Sequence, residues 1–124
     1  MSEKVEKAIN NHKSFYPCSA AVLCAFADDA GISEAEAKKA AAPMAGGRMG
    51  KCGAVLAAEY VLDKKFGDAS EPLKKEFEQR FTEMNQTLVC KELKGALTGK
   101  VIRSCRGCVT DAAELLNDII YNNQ

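Results

Sequence analysis

Residues 52–66 read Cys-Gly-Ala-Val-Leu-Ala-Ala-Glu-Tyr-Val-Leu-Asp-Lys-Lys-Phe, and this stretch decides the fold. Apolar side chains fall on nearly every side of it apart from Glu59, and a helix that is apolar all round has to be buried. It is entered through Gly46-Gly47-Arg48-Met49-Gly50 and closed by Gly67. Elsewhere Ala, Leu, Glu and Lys dominate, and no run alternates with period two over strand length. The expected fold is therefore all-α: a compact bundle of about five to seven helices around this buried central one.

Working outward from that helix, the N-terminal side holds three others. Glu3 to Lys13 forms the first and ends before Tyr16-Pro17, because a residue preceding proline avoids the α region. The second runs from Cys18 to Asp29, with Gly31 as its stop. Ser33-Glu34-Ala35-Glu36 is a capping box that opens the third, which ends near Pro43. On the C-terminal side Ser70 is expected to cap a helix with Glu71 and Pro72 in its first turn, reaching Gln86. A helical turn at Val89 to Leu93 leads to Gly95, and Gly99 breaks the chain again. The last helix spans Cys105 to Tyr121, with Val109, Ala112, Ala113, Leu116, Ile119 and Ile120 as its apolar stripe.

At 124 residues the chain has the length of one domain, residues 1–124, and can bury a sizeable core. Its 17 basic and 17 acidic residues cancel, with no basic block beyond Lys-Lys pairs, which argues against nucleic acid as a partner. No apolar run reaches the roughly 20 residues of a membrane span. Met1 to Lys7 is charged and lacks the apolar region of a secretory signal, so a cytoplasmic location is expected. There, cysteines more often serve metal or redox chemistry than stable disulfides.

The six cysteines are the main clue to function. Cys18 follows Pro17, Cys52 follows the glycine-rich stretch, Cys90 sits in the short segment and Cys105 opens the last helix. Helix N-termini offer unpaired N–H groups and a positive dipole end, which favour the thiolate. Dispersed cysteines sharing that chemistry suggest one converging redox or metal centre. Cys105 and Cys108 form a Cys-x-x-Cys whose members are both expected on the core-facing stripe, within reach of each other or of one metal. A zinc ribbon would need two such pairs. Cys24, amid Leu23, Ala25 and Phe26, reads as a small core hydrophobe.

Gly50-Lys51-Cys52 imitates the end of a phosphate-binding loop, but Ala45 stands in place of the first glycine, Cys52 in place of Ser or Thr, and no strand precedes it. Gly50 and Gly53 are better read as letting the backbone approach something bulky beside Cys52, a thiolate or a cluster sulfur. His12, the sole histidine, lies in a polar stretch and is expected to be exposed, which gives Cys–His hydrolysis little support.

Together these residues resemble the small bacterial family of redox-active proteins known by its C_GCAxxG_C_C cysteine pattern. The likeness runs from Cys18-Ser19-Ala20-Ala21-Val22-Leu23 through the glycine stretch into Cys52-Gly53-Ala54. It resumes at Cys90-Lys91-Glu92-Leu93-Lys94-Gly95 and ends in Cys105 followed by Asp111-Ala112-Ala113-Glu114. The chain departs at Ala57, where the family has glycine, and in Cys108, an additional thiol. The resemblance extends to the cysteine domain of split-Soret cytochromes, although no Cys-x-x-Cys-His haem signature is present.

By this resemblance Cys18, Cys52, Cys90 and Cys105, with Cys108 able to replace Cys105, are the redox cysteines. The leading expectation is that they ligate a 2Fe–2S cluster for electron transfer with a donor or acceptor protein. One alternative is a metal-free thiol–disulfide oxidoreductase with Cys105 and Cys108 as its pair and Cys18 or Cys52 as partner. Another is a helical interaction domain stapled by zinc. A homodimer is compatible with each.

Overall fold

A computed structural model of the chain describes residues 2–47, 49–95 and 99–123. Among these the architecture is an all-α bundle. Helix α1 (Glu3–Lys13) is capped by Ser2, whose hydroxyl accepts from the Val5 amide at 3.2 Å, and buries Val5 and Ala8 against its neighbours. Helix α2 (Cys18–Ala25) is buried from Ser19 to Ala25. The expected single helix from Cys18 to Asp29 is broken at Phe26, where the backbone opens (φ −109°, ψ 19°) before α3 (Ala27–Ala30). Phe26 is itself fully buried, so the break seats a large ring in the core. Gly31 then adopts φ +71° and stops the helix as expected.

Helix α4 (Glu34–Ala41) carries the Ser33–Glu36 capping box. Pro43 ends it through a tight 3-10 segment, Ala42–Gly47. Helix α5 (Gly53–Phe66) is the central one, burying Gly53, Ala54, Val55, Ala57, Ala58, Val61 and Leu62 and packing on α2 together with the two C-terminal helices described next. Its many small residues let those helices approach closely. Helix α6 (Ser70–Asn85) differs from expectation at its start. A 3-10 turn at Gly67–Ala69 leads into it, and the Ser70 hydroxyl donates to Asp63 Oδ1 at 2.7 Å rather than capping. Phe77 and Phe81, both buried, stack at 6.2 Å on its inner face.

Helix α7 (Cys90–Leu93) is a single turn, and α8 (Cys105–Asn122) closes the bundle against α1, α5 and α6. Ser104 caps α8, its hydroxyl accepting from the Gly107 amide at 3.0 Å, a signal absent from the sequence reading. One isolated antiparallel bridge, Lys51 with Val89, ties the entry of α5 to the entry of α7. Among the described residues no helix is long and apolar enough to cross a membrane.

Candidate redox site

Four helices begin at cysteines or immediately after one. Cys18 opens α2, Cys52 is the N-cap of α5, Cys90 opens α7 and Cys105 opens α8. Two backbone hydrogen bonds flanking the Lys51–Val89 bridge fix Cys52 beside Cys90. The Cys52 amide donates to the Leu88 carbonyl at 2.7 Å, and the Cys90 amide donates to the Gly50 carbonyl at 3.1 Å. Gly50 needs its φ of +89° for this turn and has open space where a side chain would stand.

Gly53 has a different role. A Cβ there would lie 2.7 Å from Cys18 Sγ and 2.9 Å from the Met44 carbonyl oxygen. Only a bare α-carbon lets the Cys18 sulfur settle against the first turn of α5. Gly50 thus shapes a turn, and Gly53 admits the sulfur of Cys18.

The sulfurs interact in a chain. Cys18 and Cys108 both hydrogen-bond to Cys52. The bond to Cys108 pushes the Cys52 thiol up to about 11, the contact with Cys18 works the other way, and burial adds to the rise. The same bond holds the Cys108 thiol below its ordinary value against the effect of burial, and the Lys94 ammonium reinforces it. Cys52 is thus the proton donor and Cys108 the sulfur on which thiolate is favoured. The helix start does act on Cys52 as expected, the Ala54 amide lowering it, but the hydrogen bond to Cys108 and burial outweigh that. The Cys52 thiol keeps its proton and donates a hydrogen bond to Cys108, and the Cys52 amide donates to the Leu88 carbonyl.

Cys90 is half-buried, and burial raises its thiol, with Lys94 opposing and the charges of Cys18 and Cys105 adding. Cys105 is exposed and Cys108 fully buried, so the pair does not share the core-facing stripe as expected. The first residue of α8 overhangs the bundle edge, while its second turn sits on the core. Cys24 lies apart from this group, 2% exposed, its sulfur 3.9 Å from the Glu34 carbonyl, in keeping with a core role.

Lys94 joins the group and was missed in the sequence. Burial works against its ammonium, but a hydrogen bond to Cys105 and the charges of Cys108, Cys105 and Cys52 outweigh it, and its pKa is raised. Its Nζ also donates to the Arg103 carbonyl at 3.2 Å. The available signal was its spacing: four residues after Cys90 places it on the same side of a helical turn. His12 is half-buried rather than exposed, because α1 packs along α8 and Arg106 Nε donates to its Nδ1 at 3.3 Å.

Below the site, Arg103 crosses the bare α-carbon of Gly107, where a Cβ would collide with its guanidinium, and binds Asp111 through two hydrogen bonds of 3.0 and 3.1 Å. Asn85 donates to the same carboxylate at 3.2 Å. This network fixes the loop before α8 to its second turn and to the end of α6.

An arrangement of mutually hydrogen-bonded thiols around one ammonium can store and pass electrons by forming and breaking S–S bonds. The model of the family described as putative redox-active protein (C_GCAxxG_C_C) matches residues 16–119, and the chain belongs to that family. No curated protein and no solved structure matches it.

Proposed function

We propose, taking that membership as the premise, that the chain is a thiol–disulfide redox protein in which Cys105 meets an outside sulfur and Cys108 completes an internal disulfide. One observation carries the reading: a Cys-x-x-Cys at the start of α8 with its first sulfur exposed and its second buried, hydrogen-bonded and biased toward thiolate. Residues three apart on a helix have β-carbons roughly 5–6 Å apart, so a small shift of the first turn brings them to the roughly 3.5–4.5 Å that a disulfide spans.

The reaction balances within the pair. The Cys105 thiolate attacks a substrate disulfide, its S–S bond breaks, and one substrate thiolate leaves. The Cys108 thiolate then attacks the Cys105 sulfur of the mixed disulfide and expels the second. Two electrons pass from the two cysteines to the substrate, and the two protons they lose end on the released thiols. Cys52 keeps its proton throughout, loses its hydrogen-bond acceptor when Cys108 enters the disulfide, and with Cys18 behind it offers further sulfurs for exchange. Lys94 hydrogen-bonds the Cys105 sulfur and places a positive charge beside the attacking atom.

The 2Fe–2S expectation draws on the number of thiols, with Cys18, Cys52, Cys90 and Cys105 as the ligand set. These residues do not fit it as they stand. Among the described residues no three His, Cys, Asp or Glu side chains are disposed to share one ion, and the sulfurs pair by hydrogen bonds instead. The zinc alternative has no more support from the same observation. A protein of free thiols suits a reducing compartment, and we place it in the cytoplasm.

The test is mass spectrometry of protein purified without oxygen and then given a mild disulfide oxidant. A loss of two hydrogens, mapped to a Cys105–Cys108 bond, is expected. Cys108→Ser should stall as a mixed disulfide on Cys105. Brown protein with stoichiometric iron and labile sulfide, or a first disulfide that excludes Cys105, would overturn the reading.

A further inference from the structure

We infer that the sulfur compound Cys105 meets is anionic, a disulfide bearing a carboxylate within a few bonds of the reacting sulfur. This rests on the thiol–disulfide reading above and adds its substrate class. The chain has equal numbers of acidic and basic residues, but the fold does not spread them evenly. Residues 90–106 carry Lys91, Lys94, Lys100, Arg103 and Arg106 against Glu92 alone. Two of these six are tied to partners away from the thiols. Arg103 is paired with Asp111 at 3.0 Å, and Glu92 accepts from the Thr87 hydroxyl at 2.7 Å.

What remains beside the exposed thiol is cationic. Lys94 hydrogen-bonds the Cys105 sulfur itself. Arg106 follows Cys105 directly, is exposed, and has the His12 ring rather than a carboxylate against its Nε. That contact engages Nε, and the two terminal nitrogens of the guanidinium are further donors. The first turn of α8 contains no acidic residue, although that is where acidic residues are favoured on a helix. The first turns of α2 and α5 also lack one, whereas those of α1, α4 and α6 carry glutamate.

Lys94 and Arg106 therefore have separate tasks. Lys94 stays on the attacking sulfur, and the Arg106 fork takes the substrate carboxylate, with bidentate geometry. Because Arg106 is adjacent in sequence to Cys105, the carboxylate has to lie close to the disulfide. Attack by Cys105 breaks the substrate S–S bond, and the departing thiolate keeps the electron pair and takes up one proton. The half still bound to Cys105 is held by Arg106 until Cys108 releases it.

The probes are three symmetric disulfides: 3,3′-dithiodipropionate, bis(2-hydroxyethyl) disulfide and cystamine, which are anionic, neutral and cationic. Oxidation of the reduced full-length chain is followed by stopped flow, at low salt and near 1 M. Leaving-group chemistry differs among the probes, so the quantity compared is the anionic-to-neutral rate ratio in native protein and in Arg106→Glu. That ratio should fall about tenfold or more in the variant, and high salt should compress the native ratio in the same direction. Arg106→Gln should show a smaller fall. Arg106 is exposed and a glutamate suits its position, so folding should survive, and a thermal melt checks this. An unchanged ratio in a folded Arg106→Glu protein, or native preference for cystamine, overturns the substrate class. Failure of all three probes to oxidise Cys105 overturns the thiol–disulfide reading instead.

Discussion

Replacing Gly53 by alanine tests how closely the Cys18 sulfur is packed. The added methyl would stand 2.7 Å from Cys18 Sγ and 2.9 Å from the Met44 carbonyl oxygen, with Ser19 Cβ at 3.3 Å. Cys18 is short and fixed on the first turn of α2, and Met44 contributes backbone, so neither can swing aside. Overpacking of this kind costs about 1–3 kcal/mol, and two contacts inside van der Waals distance put this site in the upper half of that range. Alanine recovers at most about 1 kcal/mol of helix propensity, and less in a first turn. The net loss should be about 1–2 kcal/mol, or roughly a 4–8 °C drop in Tm for a chain this size. Adding Cys18→Ala removes one of the two collisions, so the double variant should lose less than the sum of the singles by about 1 kcal/mol. Urea melts of the four proteins give the coupling, and the alkylation rate of Cys52 reports whether its contact with Cys18 has moved. A Gly53→Ala protein as stable as the native one, with additive behaviour in the cycle, would refute the reasoning.

Cys24→Ala should cost about 1 kcal/mol by urea melt and leave the Cys105–Cys108 exchange intact, because its sulfur packs in the core; loss of exchange with helicity retained would move Cys24 into the site. Asp111→Ala strands the Arg103 guanidinium and the Asn85 amide and should destabilise by about 2–3 kcal/mol, whereas a change under about 0.5 kcal/mol would show the network to be idle. Glu59 is pushed from 4.5 to about 7, by burial first and then by its hydrogen bond with Glu78, with Lys51 opposing. The folded state therefore holds a proton in that window that the unfolded chain has released, and stability should fall as pH rises through it. Glu78, lowered by the same bond, works in the opposite sense, its contribution being lost as pH falls below the ordinary glutamate range. Glu59→Gln should flatten the decline between about pH 5 and 7 in melts across pH, and an unaltered slope would remove Glu59 as its source.

The sequence made the helices legible and left the distances between them obscure. Residues 53–66 announced a buried helix because an all-round apolar surface has one solution, and Gly31 and Ser33 marked their boundaries by backbone chemistry that depends only on neighbours. Ser70 misled because a serine hydroxyl can cap or can bond a side chain seven residues away, and the choice belongs to the tertiary partner Asp63. The same limit applied at the site. That four cysteines lie at helix starts was readable. Which sulfur would favour its thiolate was not, since that depends on Cys52 meeting Cys108 across two helices. Lys94 looked like one more surface lysine until the α7 turn and the loop before α8 enclosed it.

The short bridge between Lys51 and Val89 has a larger effect on the chemistry than its size suggests. It spends the Cys52 amide on Leu88 and aligns Cys90 with Gly50, so the start of α5 cannot turn without carrying α7 along. Lys94, at the end of α7, is thereby held at a fixed distance from Cys52 and Cys108, and its charge reaches both. A thiol centre assembled from distant segments needs such coupling, because the favoured thiolate on Cys108 depends on a donor from α5 and a cation from α7. Each alone is a weak bias in a buried setting. Held together by two backbone hydrogen bonds, they act on one sulfur whose helix presents Cys105 to solvent, and the inner and outer halves of the exchange become parts of one rigid arrangement.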